Sequence, residues 1–384
     1  MMDRRQFVRV AAALGSATVM ARGARAAGSA PGVYPDRIVF GQTIGFDSVW
    51  GGPYRSYTDG LLAYFNHVNA KGGVNGRRLV VKRREDNYVP EKTVANVQAF
   101  LQDDVFGLVC MAGTGNTLAA LPLIEQHKLP VVGTFTGAPD VRRDSAPVFH
   151  TRGGYVDEVM RMVQHATTVG LKRVAVVYQD NAFGKVNAEA AGNAARKYGA
   201  EIVAMVSHSV QGDDIPAVVA RLQAARAQTT LLFTAPQSVA DILIAHQSRH
   251  GPLPYPWILS VTSAKQVFEK AAELSRGVGV TQIMPNPASR VVPLAREFQD
   301  VLDKAGVGDN RTYEAVEGFL TAKVVVDGLL ACGANPTREL FISKLEAFGK
   351  REFGGLRVHY ERNRHSGPDY VEVAMIGNGG RIIS

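Results

Sequence analysis

The chain has 384 residues, 46% of them hydrophobic and 20% charged, with a formal net charge of +8. That length exceeds one ordinary core and fits two domains, and beyond the N-terminus no apolar run is long enough for a membrane helix. The first 26 residues carry Arg4, Arg5, Arg9, Arg22 and Arg25 against Asp3 alone, so the remainder is nearer +4, with basic and acidic residues interspersed, which excludes a dedicated nucleic-acid surface.

At the N-terminus, Asp3-Arg4-Arg5-Gln6-Phe7-Val8-Arg9 precedes a weakly apolar run over residues 10–20 and then Ala24-Arg25-Ala26. A twin arginine, a Phe two residues later, a modest apolar region and an A-x-A site make residues 1–26 a twin-arginine export signal. No Cys follows the cleavage site, so no lipid anchor is expected there, and the mature protein is expected in the periplasm or outside the cell. Export permits a disulfide between Cys110 and Cys332, but two free thiols fit the sequence as well. No His pair lies near either Cys, so no metal site is expected.

After a Gly/Pro/Ser linker to Pro35, residues 38–44 read as a first strand, whose exit over residues 45–53 is a loop carrying Phe46 and Trp50. A helix over 54–70 stops at a glycine-rich turn, residues 79–82 form a second strand, and Pro90 opens a helix running to Gln102. Residues 105–110 are an apolar strand that stops at Gly113-Thr114-Gly115-Asn116-Thr117. A helix to His127 and a strand over 129–133 follow, the latter stopping at Thr134-Phe135-Thr136-Gly137. Strands alternating with helices imply a parallel sheet, and ligands bind such sheets beyond the carboxyl ends of the strands. Two such loops therefore lie side by side.

A second set begins after Arg152: a helix over 157–168, a strand over 173–178, the loop Gln179-Asp180-Asn181-Ala182-Phe183-Gly184, and a helix to Tyr198. Strands over 201–206, 229–234, 256–259 and 278–283 alternate with helices over 215–225 and 239–249. Two similar lobes is the economical conclusion. The tail holds helices over 293–305, 312–331 and 338–348 and strands over 356–360 and 370–376, too few strands for a third domain, so the chain is expected to cross back to the first lobe.

This order resembles the branched-chain amino-acid (Leu/Ile/Val)-binding proteins of ABC importers. The resembling residues are Ala70-Lys71-Gly72-Gly73-Val74-Asn75-Gly76-Arg77, Pro130-Val131-Val132-Gly133 with Phe135-Thr136-Gly137-Ala138, Arg173-Val174-Ala175 with Tyr178, Asp180-Asn181-Ala182-Phe183-Gly184, and Tyr313-Glu314-Ala315. The resemblance implies an α/β fold of two doubly wound parallel-sheet lobes joined by a three-crossover hinge, the type I periplasmic binding protein. Residues 36–152 with about 286–352 would form the N-terminal lobe, and 153–285 with about 353–384 the C-terminal lobe.

Carried over by position, the resemblance implies that Gly113, Thr114 and Gly115, with Phe135, Thr136 and Gly137, hold a ligand carboxylate. Trp50 would cover the ligand from the first lobe, and Phe183 from the second, with Gln237, Thr262 and Tyr313 as further contacts. Amino-acid binders place an acid near Val261 and Thr262 to pair with the ammonium, and Leu259-Ser260-Val261-Thr262-Ser263 has none. A buried ammonium without a counter-charge is costly, so an aromatic or aliphatic acid is preferred, with an amino acid kept open through Glu317 or Asp180. An ABC permease is the implied partner, a monomer is expected, and a sensory ligand-binding component is the alternative role. No cofactor is called for. No G-x-S-x-G, H-E-x-x-H, Walker loop or full dinucleotide fingerprint occurs, so no catalytic residue is expected.

Overall fold

The computed structural model describes residues 30–306 and 310–383; the export signal read at residues 1–26 lies outside them. The first lobe begins with β1 (Arg37–Ile44), α1 (Gly51–Ala70), β2 (Arg78–Glu85), α2 (Pro90–Gln102), β3 (Gly107–Ala112), α3 (Thr114–Gln126), β4 (Val131–Phe135) and β5 (Val148–Phe149). They form a parallel sheet in the order β2-β1-β3-β4-β5. β3 and β4 are buried along their whole length, as expected of strands covered by helices on both faces.

The second lobe follows with α4 (Tyr155–Thr168), β6 (Arg173–Gln179), α5 (Ala182–Tyr198), β7 (Glu201–His208), α6 (Ile215–Ala225), β8 (Thr229–Phe233), α7 (Pro236–His250), β9 (Pro256–Ile258), α8 (Ala264–Ala271) and β10 (Gly279–Gln282). The chain then returns to the first lobe with α9 (Pro293–Ala305), α10 (Tyr313–Cys332) and α11 (Arg338–Glu346), and makes a hairpin sheet of β11 (Gly349–Phe353), β12 (Leu356–Glu361) and β13 (Arg364–Ser366). It ends in the second sheet with β14 (Glu372–Ile376) and β15 (Ile382–Ile383), giving the order β15-β14-β10-β9-β8-β6-β7. The fold is thus α/β with two parallel-sheet lobes, the second extended by the antiparallel β14 and β15.

Several details differ from the sequence reading. The expected loop over residues 113–117 shrinks to Gly113, since α3 starts at Thr114, and Thr134 and Phe135 belong to β4. β5, α8, β11, β13 and β15 were not foreseen; Gly349–Phe353, for one, is polar and exposed apart from its ends. Cys110 and Cys332 are both free thiols.

α10 is buried on nearly every face because it runs along α1 and under β3 and β4. Two glycines permit that approach. A Cβ on Gly60 would lie 1.8 Å from the Ala315 carbonyl oxygen, and one on Gly318 would lie 1.8 Å from that of Tyr57.

Three segments connect the lobes: residues 150–154, 283–292 and 367–371. They converge at Gly153, where a Cβ would meet the Pro368 carbonyl at 3.4 Å and the Ile283 side chain at 3.7 Å. Gly367 sits tighter still, 2.4 Å from the Arg152 carbonyl by the same measure. Arg142 pins the first segment by donating to the carbonyls of Arg152 and Gly153, at 2.9 and 2.7 Å.

Candidate functional site

The carboxyl ends of both parallel sheets face one another across the cleft, and the residues that follow those ends line one chamber. Trp50 comes from the β1–α1 connection, Tyr88 from β2–α2, Gly113 and Thr114 from β3–α3, and Phe135 from the end of β4. Tyr54 belongs to the first turn of α1. The second lobe adds Tyr155 at the start of α4, Phe183 in the first turn of α5, and Val261 after β9. Six aromatic rings therefore surround the space. Trp50 and Phe183 meet edge to face across the cleft at 5.1 Å between centroids, Phe183 meets Tyr155 at 5.5 Å, and Tyr54 meets Phe135 at 5.7 Å.

The rings close the chamber to about 10 Å³, roughly the space of one water. Admitting an organic ligand requires Trp50 and Phe183 to part, which is an opening of the lobes. Larger grooves of about 480 and 600 Å³ lie on the outer faces, between α1 and α9 and beside β14. They are away from the strand carboxyl ends that gather free backbone N–H groups, so the small chamber is the better candidate despite its size.

Its polar side is the N-terminus of α3. Gly113 adopts φ 86°, and a Cβ there would meet the Tyr88 ring at 2.8 Å, so glycine is required on both counts. No side chain caps α3, which leaves its first backbone N–H groups available beside the chamber. The Thr114 and Thr136 hydroxyls share a hydrogen bond of 2.8 Å next to them. The buried indole Nε1 of Trp50 has no partner. No carboxylate lines the chamber. Burial pushes the Tyr155 phenol up to about 12 and raises Tyr54 and Tyr88 as well, so the lining is uncharged.

Tyr88 reaches the chamber through a strained turn. Asn87 and Tyr88 both take left-handed conformations, φ 53° and 61°, which costs a bulky residue of order 1–3 kcal/mol. Buried Asp86 holds the turn: it accepts from the Tyr88 N–H at 2.9 Å and from the hydroxyls of Thr43 and Thr93 at 2.9 and 3.0 Å. The Tyr88 hydroxyl in turn accepts from Asn181 Nδ2 of the other lobe at 3.3 Å. A second cross-lobe contact lies at Gly52, whose absent Cβ would fall 1.6 Å from Gln266 Nε2.

Behind the chamber is Arg152, fully buried in the first crossover. Its guanidinium lies 5.0 Å from the Phe135 centroid and 5.6 Å from that of Tyr155. It donates to the Ser260 hydroxyl at 2.6 Å and pairs with Glu158 at 3.7 Å and Glu317 at 3.6 Å.

Of the residues singled out from sequence, Trp50, Gly113, Thr114, Phe135 and Phe183 come together in the lining, and six others do not. Gly115 faces Ala182 across the cleft, and Thr136 supports Thr114. The Gly137 carbonyl accepts from the Tyr155 N–H at 2.9 Å, and Thr262 donates to the Thr234 carbonyl at 3.1 Å. Gln237 accepts from Lys270 at 2.9 Å, away from the lining. Tyr313 is half-buried in the seam near Tyr370 and Glu372. Neither acid kept in reserve for an ammonium is available, since Asp180 is exposed and paired with Lys185 at 2.8 Å, and Glu317 sits beside Arg152 outside the lining. Tyr54, Tyr88 and Tyr155 escaped the sequence reading. Tyr155, directly after Gly153-Gly154, was the one with a visible signal. Among the described residues no group of three or more potential metal ligands converges.

The architecture matches solved structures. A substrate-binding periplasmic protein from Ralstonia solanacearum aligns at 29% identity over 90% of this chain and 99% of its own, with a TM-score of 0.83. An ABC transporter solute-binding protein from R. palustris, solved in complex with benzoate, aligns at 14% identity over 90% of this chain and 95% of its own, with a TM-score of 0.80. In sequence, the Leu/Ile/Val-binding protein homolog 3 of Brucella melitensis is 27% identical over 48% of this chain and 52% of that protein. The matched region is thus about half the length of that curated relative. The periplasmic binding protein family model matches residues 42–381, nearly all of the described chain. Every piece of the cleft lies inside that match, and its family is one of binders, not of enzymes; the chain belongs to the periplasmic binding protein family.

Proposed function

We propose that the protein is the solute-binding component of an ABC importer and captures a small aromatic carboxylate between its lobes, with aliphatic acids as second choice. The observation that carries this reading is a chamber of six aromatic rings with no lining carboxylate, set against the uncapped N-terminus of α3. A ring-bearing ligand would stack among Trp50, Phe183 and Tyr155. Its carboxylate would take the α3 N–H groups and the Thr114 hydroxyl, the charge that a helix N-terminus favours. The benzoate complex of the R. palustris protein is in keeping with this chemistry. Capture in the periplasm after twin-arginine export, delivery to an inner-membrane permease, and a monomeric state complete the proposal. A branched-chain amino acid, suggested by the name of the Brucella relative, would need a partner for its ammonium that the lining lacks. A sensory role would use the same pocket with a different partner.

A thermal-shift panel of benzoate, substituted benzoates, short aliphatic acids and branched-chain amino acids tests the ligand class. A ligand at 100 times its Kd stabilises by about 2.7 kcal/mol, so the right class stands out. A shift with amino acids alone would overturn the reading. Thr114→Val is expected to weaken an aromatic carboxylate by about tenfold or more, the worth of one hydrogen bond to a charged group, while benzamide binding changes less. Unchanged benzoate affinity by calorimetry would remove the α3 cradle.

Closure is separately testable at Gly52. Gly52→Leu places a side chain where Gln266 now packs, so the closed form is disfavoured and affinity falls for all ligands alike, through faster dissociation more than slower association. Small-angle scattering should show a larger mean radius for the variant with ligand present. An equally compact ligand-bound variant would show that Gln266 simply moves aside.

A further inference from the structure

Two buried glutamates share the single guanidinium of Arg152, and they are not equivalent. Glu158 is wrapped in donors: the Ser260 N–H at 2.9 Å, the Ser260 hydroxyl at 3.0 Å and the Thr281 hydroxyl at 2.6 Å. Glu317 touches Arg152 only at 3.6 Å, beyond hydrogen-bond length, and its Oε1 has no hydrogen-bond partner. The pair also spans the cleft, because Glu158, Ser260 and Thr281 belong to the second lobe and Glu317 to the first. Burial raises both carboxyls, but the three donors on Glu158 oppose that rise, whereas Glu317, buried without such donors, favours the neutral form more strongly.

The other groups facing Glu317 reinforce this. Glu158 from α4 and Glu314 from its own helix oppose its charge, while Arg152 and Arg142 support it; Tyr57 of α1 and Cys110 of β3 are a neutral phenol and a neutral thiol, their ionisation suppressed by burial. Burial outweighs the arginines and brings Glu317 up to about 7. Tyr57 also packs its ring 5.0 Å from Phe135, so Glu317 lies one ring layer behind the chamber wall.

Building on the reading that the ligand is an anion, we propose that Glu317 takes up a proton when the lobes close on it, which makes capture proton-linked. Closure removes water from beside Glu317 and sets a second negative charge across the Phe135 and Tyr155 rings, and both changes favour the neutral acid. The sign follows. A carboxyl raised to about 7 in the closed form that falls back towards the usual carboxylate range once the open cleft hydrates it binds a proton on closing at pH values between the two. Affinity is therefore greatest at low pH, falls as pH climbs towards 7, and levels off above it, by up to about tenfold per pH unit for one full proton. Loading is favoured in an acidic medium and release in a more alkaline one.

Calorimetry of the mature chain with benzoate at pH 6, in two buffers of different ionisation enthalpy, counts the protons. The expected result is net uptake approaching one for benzoate, less for benzamide, and none for either ligand with Glu317→Gln. Zero uptake by a wild-type chain that binds benzoate overturns the proposal, as does uptake that persists in Glu317→Gln. If benzoate does not bind at all, the ligand reading fails, and the same proton count is made with whichever ligand of the thermal-shift panel does bind. With benzoate saturating, so that the lobes stay closed, the unfolding midpoint of Glu317→Gln should rise relative to wild type as pH goes from 5 to 8, because a raised folded-state value costs stability above it. A constant difference between the two proteins across that range also overturns the proposal.

Discussion

Gly318→Ala is expected to lower the stability of the protein by about 2–4 kcal/mol, although alanine is the better helix former. On an exposed helix the exchange would gain roughly 1 kcal/mol from propensity. Here the added methyl falls 1.8 Å from the Tyr57 carbonyl oxygen and 2.9 Å from the Leu61 N–H. Those are backbone atoms of α1, which cannot rotate away as a side chain would, so α1 and α10 must separate along their length. Overpacking of this kind costs about 1–3 kcal/mol even where side chains can adjust. Separation also loosens Tyr57 against Phe135 and with it the back wall of the chamber. Denaturant unfolding with an unchanged m-value and a lower midpoint is the expected record. A variant as stable as wild type would show that the helices are free to part.

The second large effect is expected at Arg152. Arg152→Met keeps much of the length and stacking of the side chain but removes the charge that Glu158 and Glu317 share. Breaking a buried ion pair on one side costs about 3–5 kcal/mol, since the partner stays buried and charged. Glu317 is able to escape by protonation, whereas Glu158, tied to Ser260 and Thr281, is the group left exposed to the full cost. The penalty is accordingly expected to be largest at pH 8 and to shrink by pH 5, as both carboxyls, already raised by burial, become neutral. Equilibrium unfolding at the two pH values checks this. Equal losses at both would mean that packing, not charge, is what Arg152 supplies.

Much of this was legible beforehand. Apolar runs ending in Gly, Thr, Asn and Asp placed most of the parallel strands and the loops at their carboxyl ends, because burial on both faces and the turn chemistry at strand exits each leave a mark in composition. Trp50, Gly113, Thr114, Phe135 and Phe183 lie at such exits and converge in the chamber. What escaped depends on conformation that composition does not carry. Tyr88 reaches the lining only through two consecutive left-handed residues. Tyr54 sits in the first turn of α1, because the helix starts at Gly51, three residues before the start the sequence suggested, Tyr54 itself. Gln237 follows a strand exit as Phe183 does, but Lys270 draws it to the surface. Arg152 read as a boundary residue, and only the fold places two glutamates from distant segments, Glu158 and Glu317, against it.

The convergence of the three connecting segments at Gly153 and Gly367 bears on how the lobes move. Separate cables would let the lobes twist, shear and bend independently. Strands packed so closely that no Cβ fits between Gly367 and the Arg152 backbone act as one strip, with sliding blocked and a single bending axis left. Motion between open and closed forms then has one coordinate. One interlobe distance, measured between labels far from the strip, is enough to report it.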